Sequence, residues 1–420
     1  MNDSPIPMHH TRGEPDDVRM RGFAQRQTVD AALAWLDAQL QPLTAEMVPL
    51  RVAAGRVLAA SVVSDVDVPG FDRAMMDGYA VLADSTEGAT AYTPLPLKVV
   101  GEAMPGCPFD GVVRKGEAVR IMTGAPMPDG TDSVVPAEWI GAEADLINAL
   151  AAVSPGKHVG QRGEDITKGT LVLESGRVLR PQDLGVLSSV GHAEVQVVRR
   201  PRVHLAVTGN ELLPSGMRPR AFHIADANGP MLAALIDRDG GLVDFPGLVR
   251  DDRVAILTAL HADADIVIVS GGTSVGIEDL APMLVAQYGE LAVHGIAMRP
   301  SSPTGLGRIE NRIIILLPGN PVSSLCAYDF FAGRAIRALG GRSKEWPYRA
   351  VCGRLNRKIN SLIGRLDYAR VRVADGLVEP LAVTGASVLS STTRADGFVI
   401  VGEDSEGFPA GAEVEVWLYA

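Results

Sequence analysis

The chain has 420 residues, more than one typical hydrophobic core holds, and 46% of them are apolar, so two to four globular domains are expected and a disordered chain is excluded. A formal charge of -11 argues against a general binder of nucleic acid or anionic membranes, so any anionic ligand must meet a local basic patch. With 5% aromatics against 45 glycines and 28 prolines, the chain reads as many short strands and turns around an aliphatic core; Cys107, Cys326 and Cys352 form no C-x-x-C pair, which argues for a reducing compartment and against a structural zinc or iron-sulfur site.

The first two dozen residues carry charges and prolines rather than an apolar signal core, and nowhere does an apolar run approach the roughly 18 residues that span a bilayer. A soluble cytoplasmic protein with a flexible 1–24 segment is expected. From Thr28, the apolar positions Val29, Leu33, Leu36 and Leu40 keep helical spacing up to Pro42. A second helical stretch is expected over 52–59, followed by alternating residues from Ser61 that predict a strand ending at Pro69-Gly70. Next comes Phe71-Asp-Arg-Ala-Met-Met-Asp-Gly-Tyr-Ala-Val, in which Asp77-Gly78 places a carboxylate on a tight turn; a turn aspartate that holds its own backbone would read the same way. Short strands broken by Gly and Pro then run to Val172, the pattern of a small barrel or sandwich. They include Met122-Thr-Gly-Ala-Pro and end near the acid pair of Gly163-Glu-Asp-Ile, which alone would read as a solvated turn. Pro181 opens a helix through Ser189, and a strand follows over 193–198.

Beyond Arg200-Pro201 the pattern becomes strands alternating with helices, which predicts a parallel sheet with crossover connections. Strands are expected over 203–208, 242–245, 266–269 and 313–317, and helices over 226–239, 251–261, 277–288 and 321–339. Ligands of such sheets bind outside the carboxyl ends of the strands, where three loops fall: Thr208-Gly-Asn-Glu-Leu, Ser270-Gly-Gly-Thr-Ser-Val-Gly and Pro318-Gly-Asn-Pro-Val-Ser-Ser. In the second loop Gly271 and Gly272 let the backbone approach a ligand, and Ser274 adds a hydroxyl. Glu278 and Asp279 follow directly. Carboxylates beside a phosphate cradle need a cation between them, so the loop suggests a phosphate with a divalent metal, although a plain strand-to-helix connection would use the same residues. Glu211 and Asp226 bring further carboxylates to this edge, Asp226 serving equally well as a helix cap. Ser323 sits in the first turn of the helix opened by Pro321. Arg299 is the one charge in an otherwise neutral segment. A last module of short strands begins after Gly340-Gly341, where 342–372 carries nine Arg or Lys against two acids, a surplus of seven.

Taken in order, FDRAMMDGYAV, MTGAP, GEDI, TGNEL, Asp226-Ala-Asn, SGGTSVG, MRPSSP, PGNPVSS and the segment 387–391 resemble the molybdopterin molybdenumtransferase family, which includes MoeA and the E-domain of gephyrin. The resemblance implies a multidomain α/β plus β protein: a discontinuous helical domain over 25–67 and 166–201, a β-rich module over 68–165, a three-layer α/β molybdopterin-binding domain over 202–341 and a C-terminal β module over 342–420. It further implies a homodimer with composite active sites and the last step of molybdenum cofactor synthesis, in which adenylylated molybdopterin and molybdate, with Mg²⁺, give the cofactor and AMP. By motif match Asp77, Asp165, Glu211, Asp226 and Asp279 would stand around metal and nucleotide, with Thr123 nearby, and all but Asp165 would be metal ligands. Ser323, Arg365 and Ser387 would take molybdate, with Arg299 beside them. An upstream molybdopterin adenylyltransferase and client molybdoenzymes are the implied protein partners. Where the family commonly carries Lys-Pro-Gly-Lys-Pro, this chain reads Arg299-Pro-Ser-Ser-Pro, so one cation becomes Arg and the other Ser302. The Gly-rich segment after Thr384 is also shorter, so Ser387 and Ser390 compete for one family position. A carrier or scaffold for the cofactor, insertion of tungstate in place of molybdate, and a nucleotide hydrolase or adenylyltransferase on the same α/β domain are the alternative readings.

Overall fold

The computed structural model describes residues 26–143, 145–273, 279–382 and 385–419, and the chain divides into two compact units, Met47–Val197 and the chain on either side of it. In the first unit a six-stranded sheet runs in the order Ser133–Pro136, Gly78–Val81, Glu117–Ile121, Leu95–Ala103, Leu146–Ala149 and Ile140–Glu143. Successive side chains of a strand face opposite ways, so Ala80 and Val119 enter one apolar cluster while Val81 and Ala118 enter another. A third cluster joins Val48, Leu58 and Val62 to Leu179, Leu187 and Val197 from the other end of the segment. The helix expected over 52–59 is absent. A 3-10 turn, Leu50–Val52, stops at Gly55, whose φ of 76° leaves the helical region, and Val57 and Leu58 then bridge to Val178 and Val197.

The second unit contains a sheet in the order Leu242–Asp244, Arg202–Thr208, Ile266–Ser270, Arg312–Leu317, Gly305–Ile309 and Glu290–His294, with Leu248–Val249 also pairing Arg202–Thr208. The first four strands are parallel and the last two antiparallel. Ile266, Ile268, Ile313 and Ile315 pack with the helices Val29–Ala38 and Asn228–Arg238 on one face. Val267, Val269, Ile314 and Leu316 pack with Arg253–Leu260 and Leu280–Tyr288 on the other. Both faces are covered, which is why these strands read as unbroken aliphatic runs. The long C-terminal helix expected over 321–339 is present with one irregularity: Pro321–Ala327 continues through a π turn, Tyr328–Ala332, into Gly333–Leu339.

The same unit ends in a barrel. Leu366–Ala374, Leu377–Ala382, Arg349–Leu355, Glu413–Leu418 and Gly397–Val401 pair in that order, and the last closes onto the first. Closure removes the exposed edges of a small sheet around an aliphatic core of Ala369, Val371, Val399 and Val416. Met298–Arg299 adds to it in parallel, against Leu366 and Asp367. No helix among the described residues is long and apolar enough to cross a membrane.

Candidate active site

A cavity of about 600 Å³ lies at the carboxyl edge of the parallel strands. The pairings Val207 with Ser270 and Ser270 with Leu317 bring three strands to an end at one level, so the loops that follow them share this edge. Thr208 and Gly209, Gly271 to Thr273, and Pro318 to Asn320 all line it. Gly271 has a φ of 101°, and a Cβ there would strike the carbonyl oxygen of Thr208; no other residue type permits this approach. Asn228 ties the loops together. Its Nδ2 donates to Ser270 Oγ at 2.9 Å and to the Gly319 carbonyl at 2.7 Å.

Four carboxylates face the same space: Glu211, Asp226, Asp251 and Asp279. Asp226 is 5% exposed and accepts from the Gly229 amide at 2.9 Å. Asp251 Oδ2 accepts from the Asn210 amide at 2.9 Å. The other oxygen of Asp251, together with Asn228 Oδ1 and Thr208 Oγ1, is buried without a hydrogen-bond partner among the described residues. Such orphans usually find a partner in water, an ion or a ligand. Burial pushes the pKa of His294 below its ordinary value, and its Nε2 donates to the Thr273 carbonyl at 3.1 Å. Ser274 and Glu278 lie outside the described residues.

A second cavity, about 320 Å³, adjoins the first across Pro303, Pro318 and Asn320. Arg299, Ser302 and Ser323 line it, while Ser387 lines the larger one and donates to Asn320 Oδ1 at 2.8 Å on the shared wall. Ser301 holds a φ of 88°, in the left-handed region, and its Oγ donates to the Ser323 carbonyl at 2.5 Å, which offsets part of that strain. Arg299 is not open to the cavity alone. It pairs with Asp367, a carboxylate that also faces Arg365, so Arg365 stands behind the cavity rather than in its lining.

In the Met47–Val197 unit Asp77 accepts from both the amide and the hydroxyl of Thr123, at 2.8 and 2.7 Å, and these two bonds hold its carboxyl below the usual range. Asp165 is exposed, and its amide donates to the Val68 carbonyl where Val68 pairs antiparallel with Ile166.

Residues 27–191, 205–338 and 353–419 match, respectively, the families described as MoeA N-terminal region (domain I and II), probable molybdopterin binding domain, and MoeA C-terminal region (domain IV). The chain belongs to the molybdopterin molybdenumtransferase family. "Molybdopterin molybdenumtransferase 2" of Mycobacterium tuberculosis is 33% identical over 95% of this chain and 99% of its own length, and the Haemophilus influenzae molybdopterin molybdenumtransferase is 33% identical over 93% and 98%. A solved structure of a molybdopterin biosynthesis MoeA protein from Pyrococcus horikosii is 34% identical, with a TM-score of 0.81, over 94% of this chain and all of that one. The molecule is thus an enzyme of the transferase class with the multidomain α/β plus β architecture of that family.

Within this transferase the structure gathers Glu211, Asp226, Asp279, Gly271, Gly272 and Ser387 at one cavity and Arg299 with Ser323 at its neighbour. Asp77, Thr123 and Asp165 belong to the other compact unit. Sequence reasoning included Asn228 and Asn320 in motifs without giving either a role, and passed over Asp251 and Asp367. Asp251 stood at an expected helix start, where an acid reads as a cap; in the fold Asp252 is the cap and Asp251 faces the cavity. Among the described residues no three His, Cys, Asp or Glu side chains are grouped to hold a metal by themselves. The donor set nevertheless fits Mg²⁺, which takes one or two carboxylates together with water and substrate phosphates rather than a protein cage.

Proposed function

We propose that this chain inserts molybdenum, supplied as molybdate, into adenylylated molybdopterin and releases AMP, as the last step of molybdenum cofactor synthesis in the cytoplasm. The observation that carries this reading is the pair of adjoining cavities, one lined by carboxylates and glycine loops, the other by hydroxyls and Arg299. A substrate that joins a pyrophosphate link to a pterin, beside a tetrahedral oxyanion, needs both environments within reach of each other. Gly271 and Gly272 would admit the phosphate chain close to the backbone, and Asn228 would keep their loop in register with Gly319. One or two of Glu211, Asp226, Asp251 and Asp279 would hold Mg²⁺ against the substrate phosphates. When bound, that ion would neutralise charge developing on the phosphate oxygens. Ser302 and Ser323 would donate to the oxyanion, with Ser387 at the join between the two cavities.

The reading includes a homodimer in which a second copy supplies Asp77 and Asp165 to complete each site, with the two bonds from Thr123 orienting the Asp77 carboxylate. Molybdate-dependent release of AMP from adenylylated molybdopterin by the purified protein with Mg²⁺ is the direct test, run with tungstate in parallel. Tight binding with no AMP under either oxyanion would leave a carrier. Mixing two inactive variants, Asp77→Ala and Glu211→Ala, should restore part of the turnover once subunits exchange, since one of the two composite sites in each mixed dimer is then intact. Continued inactivity after proven exchange would rule out the shared site.

A further inference from the structure

The smaller cavity has more cationic side chain near it than cationic charge. Parallel pairing of Arg299 with Asp367 sets the two side by side, although 68 residues separate them in sequence. The Asp367 side chain is fully buried and meets three groups. Arg299 Nη2 and Ser361 Oγ both donate to its Oδ2, the latter at 2.8 Å, and Arg365 Nε lies 3.1 Å from its Oδ1. Two guanidiniums share one carboxylate, so the assembly carries one net positive charge. Arg365 meets Asp367 as an ion pair without a hydrogen bond among the described residues, so the carboxylate holds it by charge. Arg299 and Ser302 are the members of this group's neighbourhood that line the cavity itself.

We propose that Asp367 is a positioning residue that sets the charge of this oxyanion subsite, holding Arg299 and Arg365 together and cancelling one of their two charges. A tetrahedral dianion then meets one net cation and neutral donors, and stays exchangeable for transfer. This rests on the reading of the cavity as the oxyanion subsite. With both guanidiniums uncancelled, a second positive charge beside the subsite would hold the dianion more tightly. With none, only neutral donors would remain. Affinity should therefore follow a count of three ionic side chains.

The experiment is calorimetric binding of molybdate, and of tungstate, to the full chain and to Asp367→Asn, Arg365→Gln and the double variant, with AMP release measured on the same preparations. One unit of charge more or less beside the subsite corresponds to about a tenfold change in affinity. D367N should bind the oxyanion about tenfold more tightly and R365Q about tenfold more weakly. The double variant, back at one net charge, should return to near the parent value. In turnover, D367N should lower the KM for molybdate and lower kcat with it, a split that loss of packing would not produce. Weaker or unchanged binding by folded D367N, or a double variant as weak as R365Q, would overturn the proposal. Should D367N alone not fold, the double variant measured against R365Q carries the same test, with rescue supporting the proposal and no rescue overturning it. Charge-dependent binding without AMP release would unseat the transferase reading and keep this one. AMP release without rescue would do the reverse.

Discussion

Asp226 accepts the Gly229 amide at the start of the Asn228–Arg238 helix while it lines the larger cavity, so one carboxylate serves a helix end and the site. The two uses differ in weight. A capping bond is worth about 1 kcal/mol, a small part of the stability of a chain this long, whereas on the proposed reading the carboxylate stands beside the substrate phosphates, where water of the same geometry would not replace it. Asp226→Ala should therefore abolish AMP release, at least about 100-fold, and lower the unfolding free energy by only about 1 kcal/mol. Turnover within a few-fold of the parent would show that the carboxylate serves the helix alone. Asp367 differs in that its side chain is fully buried with two cationic neighbours, so its removal leaves charge unpaired rather than a cap unmade.

At the scale of elements the site is a meeting of strand ends, and Asn228 is the strut between them. Its amide holds the Ser270 end of one strand and the Gly319 loop after another. Asn228→Ala should cost about 2 kcal/mol for two lost buried bonds and should raise the KM for the nucleotide-bearing substrate, read from urea unfolding and initial rates. A loss under about 0.5 kcal/mol would mean the loops hold their places without it. The parallel strands were legible in the sequence because Ile266 to Val269 and Ile313 to Leu317 must be apolar on both faces, and parallel strands deliver their loops to one edge. The antiparallel pair Glu290–His294 and Gly305–Ile309 was not legible. A Cβ on Gly307 would strike the Glu290 carbonyl and one on Gly289 that of Arg308, so the pairing needs glycines where a strand pattern would show side chains. The helix expected over 52–59 failed for a related reason, because its spacing was right but Gly55 turns the chain away. Arg299 could be singled out as an isolated cation, but its partner lies beyond any local pattern.

For the whole molecule, charge read in segments misleads. The basic surplus of 342–372 disappears over 342–420, where ten Arg or Lys meet ten Asp or Glu. The barrel register sets Arg354 opposite Glu413 and Arg372 opposite Glu379, so acids that come later in the chain neutralise this face. The junction between barrel and α/β sheet holds the opposite kind of group. Asp329 is fully buried, accepting from Tyr348 at 2.7 Å and Tyr368 at 3.2 Å, and burial raises its pKa to about 6, against a lowering by the tyrosine bonds and Arg238. Relative to an ordinary value of 3.8, the folded chain keeps a proton that the unfolded chain releases between about pH 4 and pH 6. Folding stability from this group is thus greatest below pH 4, falls as pH rises through that window, and is level above it. The two-unit shift corresponds to at most about 3 kcal/mol. Carboxylates held below the ordinary range, such as Asp37, Asp183 and Asp265, act in the opposite sense and below pH 4, so the windows separate. Asp329→Asn, neutral throughout, should therefore be more stable than the parent at pH 7.5 and should lose the parent's decline between pH 4 and 6 in urea midpoints. Parallel pH profiles for the two proteins would mean that Asp329 is ionised in the fold, held by Arg238 and the tyrosines against the cost of burial.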